Sequence, residues 1–194
     1  MSINIEKIRE ILTKKEIKLY EGLTDEEFEK IEKFYSIKFP ISLRTLYKEL
    51  LPEFYNWRDF SEENVENIKN FLNAPIQGML FDIQYNGFWK KCFGQKTDDV
   101  EENKRIALEY LEKSNNETVP KLIPIYSHRF VPSYPDIIDI PVISVVQTDI
   151  IYYGNNLVDY FENEFHEKKN KEPADLHNKY IPFWTDIINY RFEK

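Results

Sequence analysis

The sequence predicts an α+β fold in which helices pack on one side of a mainly antiparallel sheet. Two observations lead there. Apolar residues recur at helical spacing through the first 75 positions, whereas the runs from Met79 onward alternate or are rich in β-branched residues. Helices and strands thus come in blocks, without the strict alternation of a doubly wound parallel sheet. The chain has 194 residues, 42% hydrophobic and 31% charged, and contains no Ser/Gly linker, low-complexity run or internal repeat. Residues 1–194 are therefore expected to form a single domain with its own core.

Ile5, Ile8 and Ile11/Leu12 set the first helical stripe. Thr24 with Glu27 three residues later has the form of a capping box, and Leu23 with Phe28 that of a hydrophobic staple, so residues 25–35 should be helical. Pro40 opens a third helix through Leu43, Leu46/Tyr47 and Leu50, stopped by Pro52. Ser61 is read as the cap of a helix with Val65, Ile68 and Leu72 inward, ended by Pro75. The alternation of Met79, Phe81, Ile83 and Tyr85 then reads as a half-buried strand with Asn86-Gly87 as its turn. Asp98 or Asp99 caps a helix to about Lys113, and Leu122–Tyr126, Val142–Gln147 and Asp149–Tyr153 read as strands. Asn156 caps a helix through Phe165; residues 166–180 read as loop, and Pro182–Arg191 as a closing amphipathic helix.

Cys92 is the only cysteine, which fits a reducing compartment, and its expected role is packing. There is no basic start followed by an apolar run, and no uncharged apolar stretch of membrane-spanning length. A cytoplasmic location is the expectation. Between Asn115 and Phe165 only Lys121 and Arg129 oppose Glu117, Asp136, Asp139, Asp149, Asp159, Glu162 and Glu164, so this stretch carries five of the eight net negative charges. Such a balance disfavours direct binding of nucleic acid and favours a basic partner.

Catalytic signatures are absent from the sequence. Neither GxGxxG nor GxxxxGK[ST] occurs to cradle a phosphate, and GxSxG does not occur. The histidines, His128, His166 and His177, lack the helical-turn or CxxC spacing of zinc ligands, so no metal and no cofactor are expected. His128, closing Tyr126-Ser127-His128, is the one candidate general base, with Asp149 or Asp136 to orient it as in a small hydrolase; the plainer reading is a strand-end histidine bonded to its neighbours. On this reading the chain is no enzyme.

Two blocks carry a family likeness. Leu23-Thr24-Asp25-Glu26-Glu27-Phe28-Glu29-Lys30-Ile31-Glu32, Phe39-Pro40 and Leu46-Tyr47-Lys48-Glu49-Leu50 resemble the opening helix pair of the SUKH superfamily, the cell-wall-assembly-regulator-like domain. Pro124–Pro132, Pro141–Val145 and Thr148–Leu157, with Phe54–Phe60 and Gly78–Trp89 between the blocks, resemble a bacterial subgroup of it. The likeness spans about residues 23–165; Pro52-Glu53-Phe54-Tyr55 departs from the glycine-rich turn common in the wider superfamily. The resemblance implies an immunity protein or antitoxin that binds and neutralises a cognate toxin, a basic nuclease or nucleic-acid deaminase. The alternative it implies is a regulatory scaffold for endogenous proteins. The oligomeric state is left open.

The expected partner surface centres on Asp149, Tyr153, Asn155 and Asp159, with His128 nearby. Strand alternation places Asp149, Ile151 and Tyr153 on one face, opposite Ile150 and Tyr152. In the competing view, Gly154-Asn155-Asn156 is a turn and helix cap.

Overall fold

The computed structural model describes residues 3–134, 139–165 and 179–190. The elements run α1 (Ile5–Lys14), β1 (Leu19–Tyr20), α2 (Asp25–Tyr35), α3 (Ile41–Glu49), β2 (Leu51–Pro52) and α4 (Glu62–Tyr85). A 3₁₀ turn (Lys91–Phe93), α5 (Val100–Lys113), β3 (Leu122–Tyr126), β4 (Arg129–Pro132), β5 (Val142–Val146), β6 (Asp149–Gly154), α6 (Leu157–Phe165) and α7 (Trp184–Tyr190) follow. β1 pairs with β2, and β3-β4-β5-β6 form one antiparallel meander. The fold is α+β with antiparallel sheets.

Where capping chemistry is local, the expected helices form. Thr24 Oγ1 accepts from Glu27 N at 3.2 Å while Glu27 Oε2 accepts from Thr24 N at 2.9 Å, closing the capping box. Leu23 and Phe28 are buried as its staple. Arg58 reaches across to Glu27 at 2.7 Å and holds that carboxyl below the usual carboxylate range. Asp99, of the two candidates, caps α5 through Glu102 N, and α7 begins at Trp184, slightly inside its expected span, whose last residue, Arg191, lies outside those described. The loop expected at 166–180 lies outside the described residues as far as position 178.

The expected strand at 79–85 is instead the last two turns of α4, which continues through Pro75. Positions 79, 81, 83 and 85 alternate, but they also contain two i,i+4 pairs, and the helix satisfies both. Met79 and Ile83 are buried, while Phe81 and Tyr85 lie outside with ring centroids 4.6 Å apart. Pro75 removes one helical hydrogen bond, yet the chain buries its ring and carries on. Ser61 occupies the N-cap position without a side-chain cap bond; Asp59 Oδ1 instead accepts from Ser61 N at 2.8 Å.

The arrangement with helices on one side is also corrected. Buried residues fall into two clusters, divided by the four-stranded sheet. Ile8, Phe28, Leu43 and Leu46 join Ile123, Val131, Val142 and Tyr160 in one. Met79, Ile83, Ala107 and Leu111 join Leu122, Phe130, Ile143, Ile150, Trp184 and Ile187 in the other. Neighbours such as Leu122/Ile123, Phe130/Val131 and Val142/Ile143 point into opposite clusters, so helices cover both faces.

The first cluster is rich in tyrosine. Burial pushes the Tyr47 and Tyr160 hydroxyls well above the ordinary tyrosine value. The unfolded chain ionises near pH 10, whereas the folded chain keeps both rings protonated beyond it. Their contribution is therefore complete below about pH 10 and is lost as pH rises further. Between pH 9 and 10.5 the unfolding free energy should fall by about 1.5 kcal/mol for the pair, measured by urea titration. Tyr47→Phe should flatten that slope, and a slope unchanged by it would assign the loss to other groups.

Candidate partner-binding surface

Both two-residue turns of the meander lie at one end of the sheet. Arg129 faces Ser144, and Val145 N donates to His128 O at 2.9 Å, so the Ser127-His128 turn sits beside β5, just short of Gln147-Thr148. Each turn sets its first residue at positive φ, 50° at Ser127 and 56° at Gln147, a geometry that follows the strand twist. α4 braces the second turn from behind. Gly78 lets the backbones touch, since a Cβ there would lie 2.8 Å from Gln147 Cα. Asp82, 4% exposed, accepts from Thr148 N at 2.8 Å, Thr148 Oγ1 at 2.5 Å and Asn86 Nδ2 at 2.6 Å.

Four large apolar side chains remain exposed around this braced turn: Phe81 (45%), Tyr85 (64%), Val146 (50%) and Ile151 (42%). Asp149 is exposed opposite Val146 in the β5–β6 register and shares a face with Ile151, whereas Phe81 and Tyr85 belong to α4, which packs on the other face. Phe81 adjoins Asp82 and Tyr85 follows one helical turn on; Val146 adjoins Gln147. Sequence reading missed Phe81, Tyr85 and Val146 as surface residues. The i,i+4 relation of the first two was the available signal.

The expected site residues divide. Asp149 opens β6 at this end, with its side chain outward as the alternation predicts. His128 is exposed in the neighbouring turn; its Nδ1 lies 3.1 Å from Ser127 Oγ. Partial burial and then the Arg129 charge hold its pKa below the usual histidine value, so the ring is neutral at pH 7.

Tyr153 is half-buried, its ring under the Arg129 guanidinium at 3.7 Å and beside Tyr160 at 6.2 Å. Asn155 and Asp159 belong to the start of α6. Asp159 Oδ2 accepts from Asn155 N at 2.7 Å, and Asn156 Oδ1 accepts from Asp159 N at 2.9 Å. Tyr153, Asn155 and Asp159 thus make contacts that hold α6 on the sheet. Asp136, the other proposed partner of His128, lies outside the described residues.

The acidic stretch is also less bare than its composition suggests. Lys7 pairs with Glu162, Arg129 with Glu164 at 2.8 Å and Lys179 with Asp139 at 2.9 Å, two of these cations coming from outside the stretch. Cys92 is exposed, contrary to its expected packing role; Phe93 beside it is buried instead. His166 and His177 lie outside the described residues, among which no three His, Cys, Asp or Glu side chains converge on a metal position. No described helix is long and apolar enough to cross a membrane.

No family model, curated protein or solved structure matches the chain.

Proposed function

We propose that this chain is an immunity protein or antitoxin that binds a cognate toxin of basic, nucleic-acid-acting type and neutralises it by stoichiometric occupation. The observation that carries the reading is the braced β5–β6 turn, with exposed Val146 and Ile151 beside the Asp149 carboxylate on one face of the sheet and exposed Phe81 and Tyr85 of α4 on the other. Aromatic and aliphatic groups at the centre of a patch supply binding energy when a partner excludes water from them. A carboxylate beside them selects a basic partner and speeds encounter. The resemblance of residues 23–50 and 124–157 to the SUKH superfamily supports the same reading. A cytoplasmic site of action belongs to this proposal, because a cell that makes such a toxin must disarm it where its own nucleic acid lies.

Co-expression with a toxin domain encoded beside this chain should rescue growth. Asp149→Lys and Tyr85→Ala should each weaken toxin binding by about 2 kcal/mol with the melting temperature held, as read by calorimetric titration and thermal unfolding. Failure to rescue against any adjacent toxin sinks the functional reading. Rescue with both variants binding normally moves the interface off this turn.

A further inference from the structure

A cleft of about 410 Å³ opens where the end of α2 meets the middle of α4, the end of α5 and the start of β3. It lies on the side of α4 away from the braced turn and is independent of the proposed toxin surface. Ile37 of the first cluster and Leu111, Val119, Leu122 and Trp184 of the second form its apolar floor. The cleft thus follows the seam between the two cores, and neither core fills it. Its volume is that of a small-molecule site, about 300–1,000 Å³.

The rim has a different chemistry. The Phe34 ring is 49% exposed there, with Lys69 Nζ 5.8 Å from its centroid. Lys121 Nζ, on the same rim, donates to Ser36 O at 2.9 Å. Among the described lining residues Glu112 is the one carboxylate beside these two ammonium groups, so the rim is net positive in a chain of net charge −8. Partial burial lowers the Lys121 pKa, and a counter-anion there favours its charged form.

We propose that this cleft binds a small amphipathic anion, its flat aryl body on the apolar floor and its carboxylate or sulfonate headgroup on Lys69 and Lys121. The floor supplies area removed from water, and the lysines select the charge.

The test uses the full chain and two fluorescent probes of similar shape. 8-Anilinonaphthalene-1-sulfonate carries the anionic group, and N-phenyl-1-naphthylamine lacks it. The sulfonate should bind saturably at one per chain. Lys69→Met with Lys121→Met should weaken it about fivefold while leaving the neutral probe unchanged. Ile76→Trp, which places a ring in the cleft, should remove binding of both. Should that variant fail to fold, Asn73→Trp on the exposed rim decides instead. Absence of saturable binding, binding that survives the tryptophan, or equal losses for both probes in the lysine variant overturns the proposal.

Discussion

Replacing Arg129 with alanine should lower the unfolding free energy by about 4 kcal/mol. The side chain is 10% exposed and its partner Glu164 15%, so the ion pair has left most of its water behind. Arg129 Nε donates to Glu164 at 2.8 Å, Nη1 donates to Ser144 Oγ at 2.8 Å, and the guanidinium covers the Tyr153 ring. Alanine removes all three contacts and leaves a carboxylate stranded against the sheet. The loss comes chiefly from that stranded charge, so a second substitution should recover much of it. Arg129→Met with Glu164→Leu removes both charges and keeps apolar volume, and should regain most of the deficit. Urea unfolding of the single and double variants checks this. A loss below about 1 kcal/mol in Arg129→Ala would show the pair to be as weakly coupled as a surface bridge.

Gly154→Ala should cost about 3 kcal/mol and lower the melting temperature by about 8 °C. The sequence offers Gly154 as a turn residue, but its φ is not in the left-handed region, and the requirement is one of space. A Cβ at this position would sit 2.7 Å from Tyr160 Cβ and 2.8 Å from the Tyr160 backbone nitrogen and Cα. Tyr160 is fully buried and its ring packs on Phe161 at 4.8 Å, so α6 must move away from β6 to admit one methyl group. Thermal unfolding measures the effect. A melting temperature within 2 °C of the parent would mean that α6 yields more easily than its packing implies.

What could be read from the sequence was mostly what neighbouring residues decide among themselves. Thr24 with Glu27, Asp99 with Glu102 and Asn156 with Asp159 are contacts across three positions, and each helix start was legible from them. β4 was not legible, because Arg129–Pro132 is four residues long and exists only through pairing with β3 and β5. The continuation of α4 through Pro75 was hidden by an alternation that a helix and a strand satisfy equally. The consecutive apolar residues of Leu122-Ile123 and Val142-Ile143 did carry the signature of a sheet buried on both faces. At the candidate surface, strand alternation correctly turned Asp149 outward from β6, whereas Asp159 looks like a free carboxylate in sequence and instead accepts from the Asn155 backbone N–H at the start of α6. Polar residues at a helix start answer the backbone first.

A sheet that is greasy on both sides cannot use oil and water to find its alignment. In a one-sided sheet, sliding a strand by one residue turns its apolar set toward solvent, and that penalty fixes the register. Here Val142 and Ile143, or Ile123 and Leu122, would simply trade cores. The indexing falls to a few polar pegs: Arg129 Nη1 on Ser144, Asp82 on Thr148, and Tyr152 Oη against Thr185 Oγ1 at 2.6 Å. Each pins one point of the β5–β6 hairpin to a strand or helix partner, and a one-residue slip of that hairpin as a unit breaks all three. Polar groups that add modest net stability thereby choose which of several equally oily alignments is the native one.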